Sequence, residues 1–129
     1  MSNLLEAQFA FARMVPKLLT KAEQLGFAYK GGDWMRDPRC PYGSKSSRHR
    51  AALALDLHLF LKFKDLTPTR QTQEQAARKK DGLPRYTDES WVYLERTEDH
   101  APLGAWWQEQ GGIWGGDFDD GNHYEWPLP

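Results

Sequence analysis

The sequence predicts an α+β domain in which N-terminal helices pack on a small antiparallel sheet. Three observations predict it. Residues 3 to 25 carry apolar side chains at helical spacing, residues 53 to 60 place leucine at every second position, and two short extended segments stand near the C-terminus at 113–114 and 123–125.

In the first segment Leu5, Phe9, Ala12, Leu18, Ala22 and Leu25 recur roughly every three or four positions, with one step of six, and polar residues lie between them. Ser2 or Asn3 can cap this helix and Gly26 can end it. Pro16 lies inside the pattern, where it removes a backbone donor and crowds the preceding turn. The expectation is therefore a kink near residue 15 or two short helices. Residues 27 to 29 read as a short extended run before Gly31 and Gly32, and residues 37 to 50, with Pro38, Pro41, Gly43 and three serines, read as a loop.

From 53 to 60 the chain runs Leu-Ala-Leu-Asp-Leu-His-Leu-Phe. As a strand it puts Leu53, Leu55, Leu57 and Leu59 on one face and Ala54, Asp56 and His58 on the other, so the acid and the imidazole look away from the core into a cleft. Residues 64 to 90 are polar, with Gln71, Gln73, Gln75 and the basic run Arg78-Lys79-Lys80, and read as an insertion outside the core, helical from about 71 to 80. Thr97 or Asp99 can cap a helix that runs to about Gln110 through Leu103, Trp106 and Trp107, with Gly111-Gly112 as its stop. His100 falls in the cap region of that helix. Trp106, Trp107 and Trp114 are expected in the core, with Trp126 able to line a cleft.

Size and composition narrow the function. The 129 residues suit one domain, and the 40% hydrophobic content with six tryptophans supports a single core. A net charge of −1 gives no reason to expect nucleic acid or an acidic membrane as partner, and a monomer without membrane insertion is expected. Cys40 stands alone, which excludes an intramolecular disulfide and a thiolate-rich zinc cluster. Glu6 and Arg13 break any apolar run at the N-terminus, so synthesis in the cytoplasm is expected.

The chemistry-bearing residues fall into two acid and histidine pairs. His49 and Asp56 form one, and Asp120 and His123 close the segment Trp114-Gly-Gly-Asp-Phe-Asp-Asp-Gly-Asn-His123. Two imidazoles, one carboxylate ligand and a spare carboxylate are the inventory of a water-activating metal site. A calcium loop starting at Asp117 fails on spacing, since Gly121 falls fifth and Leu128 twelfth where such a loop needs Gly sixth and Glu twelfth. Ser46 and Ser47 lack the strand-turn-helix elbow of a serine nucleophile, and nothing around Cys40 argues for a reactive thiolate.

The segment from Ser47 to Asp56 resembles the Ser-x-His-x-x-Gly-x-Ala-x-Asp motif of the zinc peptidases that include D-alanyl-D-alanine carboxypeptidases and dipeptidases and phage L-alanyl-D-glutamate endopeptidases. Asp120-Gly-Asn-His123 resembles the acid-x-x-His motif that completes the same site, and the preceding Trp-Gly-Gly looks like the endolysin branch. Ala52 stands where the motif has glycine, and the connection 64–90 is longer than usual.

The resemblance implies a Hedgehog/D-Ala-D-Ala peptidase-like fold with Zn²⁺ on the open face, held by His49, Asp56 and His123. It implies Asp120 as general base, with Asp119 the rival; Ser47 as a substrate contact; and Arg36, with Arg48 its rival, as the residue that holds a substrate carboxylate and steadies the oxyanion. Two neutral imidazoles and one carboxylate leave zinc a net charge of +1 and an open position, although manganese or iron suits the same donors. The implied activity is hydrolysis of peptidoglycan stem peptides by an enzyme that reaches the wall after release from the host cytoplasm. A D-alanyl-D-alanine carboxypeptidase or dipeptidase, and a non-catalytic zinc-binding module, are the alternatives.

Overall fold

The computed structural model describes residues 3–32 and 53–128. In chain order it contains α1 (Asn3–Gln24), β1 (Ala28–Gly31), β2 (Ala54–Lys62), α2 (Pro68–Lys80), β3 (Trp91–Leu94), α3 (Ala101–Glu109), β4 (Ile113–Trp114) and β5 (His123–Glu125). Short 3-10 turns occupy Phe63–Asp65, Thr97–His100 and Gly115–Phe118. The architecture is α+β, with an N-terminal helix against a small antiparallel sheet.

β2 organises the sheet. Its C-terminal half pairs with β1 on one edge and β3 on the other, since Phe60 faces Ala28 and Tyr93, while its N-terminal half pairs with β5, which carries β4. All of these pairings are antiparallel. The alternation expected of this strand holds from Leu55 onward: Leu53, Leu55, Leu57 and Leu59 are buried and Asp56, His58 and Phe60 on the other face are only half-buried, while Ala54, expected on that outer face, is buried too.

The core lies on the leucine face. α1 contributes Ala7, Phe11, Val15, Leu18 and Ala22, a stripe with steps of four and three residues, and α3 contributes Leu103 and Trp107. Val92, Leu94 and Tyr124 complete it from β3 and β5. Both helices cover that one face, and among the described residues no helix covers the face bearing Asp56 and His58.

One expectation is corrected at Pro16. α1 is continuous from Asn3 to Gln24, and there is a single N-terminal helix. Pro16 and Ala12 are both exposed, so the carbonyl of Ala12 that loses its partner looks onto solvent and can bond water there. Gly26 and Gly111, with φ of +93° and +98°, end α1 and α3 as expected of left-handed stop positions.

The insertion also differs from expectation. α2 begins at Pro68, three residues early, because Thr67 caps it by accepting from the Arg70 amide at 3.1 Å and Pro68 presets the first turn. Leu66 is buried in the core, and Tyr86 stacks on Phe63 at a centroid distance of 5.7 Å. The Arg70 guanidinium grips both Asp99 oxygens at 2.6 and 3.0 Å and reaches Glu74 at 3.0 Å. The segment is therefore anchored, with no buried residue on α2 itself. β3, which pairs with β2 directly after it, was not anticipated from the sequence.

Candidate metal centre and the open sheet face

Asp56 and His123 are Cα partners on β2 and β5. Side chains at such paired positions point to the same face, and here they meet, with His123 Nδ1 3.4 Å from Asp56 Oδ1. Asp120 Oδ2 lies 4.0 Å from the same nitrogen, and its side chain is 57% exposed against 16% for His123. On the other side of the ring, Nε2 is 3.0 Å from Glu125 Oε1.

Those contacts set the electrostatics of the imidazole. Burial disfavours its charged form, but the Asp56 and Glu125 carboxylates outweigh burial and raise the pKa. An Nε2–H donated to Glu125 leaves the Nδ1 lone pair aimed at two carboxylates, an arrangement that calls for a cation between them or a proton on the ring.

The donor spacing fits a metal. Two ligands of one tetrahedral zinc, each about 2.0–2.1 Å from it, stand about 3.3 Å apart. The 3.4 Å between Nδ1 and Oδ1 matches that separation, whereas it is long for a hydrogen bond. Among the described residues no group of three or more His, Cys, Asp or Glu is arranged to hold a metal. The third expected ligand, His49, lies outside the described residues, as do Arg36, Ser47 and Arg48.

The turn that carries Asp120 and His123 is shaped by Trp114, Gly115 and Gly116. Trp114 Nε1 donates to the Gly121 carbonyl at 2.7 Å, which ties the end of β4 to the start of β5. The Asp120 amide returns to the Gly115 carbonyl at 3.0 Å. A Cβ on Gly115 would stand 2.3 Å from the Asp120 carbonyl oxygen and 2.9 Å from His123 Cβ, so only glycine lets the two segments approach. Asp119, with φ of +54°, turns away and accepts from the Thr97 hydroxyl at 2.9 Å. The two adjacent acids thus have different surroundings: Asp120 faces His123 and Asp119 faces Thr97.

His100 is the N-cap residue of α3, as expected, but its ring makes no capping hydrogen bond and turns inward. It is 1% exposed, with Nδ1 2.8 Å from the Tyr124 hydroxyl and a backbone hydrogen bond to Leu94. Burial pushes its pKa down to about 4 and raises that of Tyr124, so the pair is neutral and structural. A helix-start position gave no signal that the 3-10 turn Thr97–His100 would roll this ring inward.

His58 lies on the open face beyond Asp56, its Nδ1 3.0 Å from the Tyr93 hydroxyl. Tyr93 was missed in the sequence because β3 was missed. Burial and the Glu95 carboxylate raise its pKa, and a hydrogen bond with Asn122 opposes them. Asn122 belongs to the Asp120–His123 turn and its carbonyl accepts from the Leu57 amide at 2.8 Å, so β2, Tyr93 and the candidate centre are mechanically joined.

No protein-family model matches the chain, and neither a curated protein nor a solved structure does. Among the described residues no helix is long and apolar enough to cross a membrane.

Proposed function

We propose that the chain is a zinc-dependent peptidase that hydrolyses peptidoglycan stem peptides, as an endolysin-type L-alanyl-D-glutamate endopeptidase. The observation that carries the reading is the convergence of His123 Nδ1 and Asp56 Oδ1 at 3.4 Å on the open face, with the Asp120 carboxylate 4.0 Å from the imidazole. The motif that brings His49 into the same set supplies the third donor.

His49, Asp56 and His123 would hold the metal, and Glu125 fixes the His123 tautomer that presents Nδ1. Bound zinc supplies Lewis acidity toward water and the scissile carbonyl. Asp120, more exposed than Asp56, has an open side from which to accept a proton from the attacking water. As the water oxygen adds to the carbonyl carbon and the C–N bond breaks, the same carboxylate returns that proton to the departing amine. Arg36 and Ser47 are assigned to substrate binding on the motif alone.

The test is the metal content of the purified protein and of its His49→Ala and Asp56→Ala variants after dialysis against a weak chelator. About one zinc per chain, lost in both variants, together with new internal amine termini on digestion of purified sacculi, is expected. Release of free D-alanine instead assigns exopeptidase action. A wild type that retains no metal even after zinc is restored overturns the reading, and zinc bound without any cleavage assigns a non-catalytic module.

A further inference from the structure

We propose that Lys30, Phe60 and Tyr93 form a subsite that binds a carboxylate-bearing residue of the peptide substrate. The proposal rests on the peptidase reading above and adds the substrate feature that the open face selects.

The open face does not end at the candidate centre. Along β2 it continues from Asp56 to His58 and Phe60, whose side chains repeat every two residues, about 7 Å apart. β1 places Lys30 opposite His58, and β3 places Tyr93 opposite Phe60. The four side chains line a pocket of about 310 Å³. Tyr93 bonds both His58 and Asn122, so this pocket shares a wall with the turn that carries Asp120 and His123.

Charge decides what the pocket takes. Lys62 and Lys64 share the Glu89 carboxylate, which offsets one of their two charges. Lys30 is exposed, and among the described residues its partner is the Phe60 ring, 5.8 Å from Nζ, and no carboxylate. His58 is the floor and not the anion ligand: its Nδ1 is held by Tyr93, and a Cβ on Gly32 would come within 2.6 Å of its Nε2, so the Gly32 backbone closes over that nitrogen. An ammonium above aromatic walls binds an anion whose neighbouring methylenes can rest on the rings.

The spacing selects where the anion sits. Two residues of an extended peptide span about 7 Å, the same step that separates Asp56 from His58 opposite Lys30. A substrate lying along β2 therefore offers Lys30 a carboxylate within about two residues of the bond being cut. A glutamate joined to its neighbour through one of its two carboxyl groups keeps the other free, which is the group this geometry accepts.

The experiment compares two synthetic stem tetrapeptides that are identical except that the free glutamate carboxylate is amidated in one. Zinc-loaded wild type and Lys30→Met are assayed for kcat and KM on both. The expected KM of wild type is about fivefold lower for the free acid, and Lys30→Met raises that KM about fivefold with kcat within about twofold. On the amidated peptide the penalty of the substitution shrinks, which a loss of general stability would not do. Wild type that cleaves both peptides with equal KM, or a Lys30→Met penalty of equal size on both, overturns the subsite while leaving the peptidase reading in place. Cleavage of neither peptide by zinc-loaded wild type overturns both.

Discussion

Glu125 accepts from His123 Nε2 at 3.0 Å, two residues along the same strand, and so decides which nitrogen of the imidazole faces Asp56. Outer partners of this kind hold a ligand in one tautomer and orientation, and their removal typically costs about 10–100-fold in metal affinity. On the zinc reading proposed above, Glu125→Ala is expected to weaken zinc binding within that range while the fold is retained. Competition with a chromophoric chelator reads the affinity directly, and an unchanged value would remove Glu125 from the centre.

The adjacent acids Asp119 and Asp120 separate by what each touches. With Asp120 as the proposed base, Asp120→Asn is expected to lower kcat by about 10²–10⁴-fold with zinc content unchanged, because proton transfer is lost and no ligand is. Asp119→Asn keeps an oxygen to accept the Thr97 hydroxyl, and asparagine tolerates the left-handed backbone, so activity within about threefold of wild type is expected. The reverse ranking of the two variants on purified sacculi would reassign the base.

Stability of the metal-free protein should fall in mild acid because His100 is buried neutral. Its pKa is about 4 in the folded chain against 6.5 for the ordinary group, so between those values the unfolded state binds the extra proton. Stability is complete above about pH 6.5 and is lost as pH falls toward 4, by roughly 2–3 kcal/mol at the lower end. His123 acts in the opposite sense: its raised pKa adds stability that is present below 6.5 and is lost as pH rises through the folded value. Urea midpoints for wild type and His100→Gln at pH 7 and 4.5 isolate the first effect, and a variant whose acid loss equals that of wild type would sink it.

Gly115→Ala tests whether the Trp114-Gly-Gly segment positions the centre. The added methyl meets the Asp120 carbonyl and His123 Cβ and must displace the turn. A loss of about 1–3 kcal/mol in urea unfolding is expected. Weaker zinc binding should accompany it, since His123 itself has to move. Destabilisation with unaltered zinc affinity would show that the turn yields without moving the ligand.

Arg70 gives a prediction about the insertion. Its guanidinium and the Asp99 carboxylate are each 12% exposed and joined by two hydrogen bonds, geometry that makes an ion pair count. Arg70→Met is expected to lower stability by about 1–2 kcal/mol, with kcat unchanged as long as the Thr97–His100 turn that carries Asp99 keeps its place. Lysine at this position should rescue less than half of the loss, since it cannot form the paired contact. A fall in kcat matching the fall in stability would instead couple the insertion to the site.

The sequence by itself determined the face assignment of β2 and the C-terminal stops of α1 and α3, whereas of the apolar stripe read over residues 3 to 25 only Leu18 and Ala22 face the core, with Leu5, Phe9, Ala12 and Leu25 exposed. The face assignment and the stops depend on short-range periodicity and on glycine at left-handed stops, as with the leucines of β2 and with Gly26 and Gly111. It also set Asp120 three residues before His123, a spacing any tight turn preserves. Tertiary structure decided the rest. Pro16 is tolerated because it falls on solvent, which only the orientation of α1 settles. β3 is half exposed and too short to announce itself, so Tyr93 joins the open face only through its pairing with β2. His100 turns inward and Leu66 is buried because distant segments, β5 and the core, surround them. Registry between strands 67 residues apart in the chain is not written in any local pattern, and it is that registry which brings Asp56 against His123.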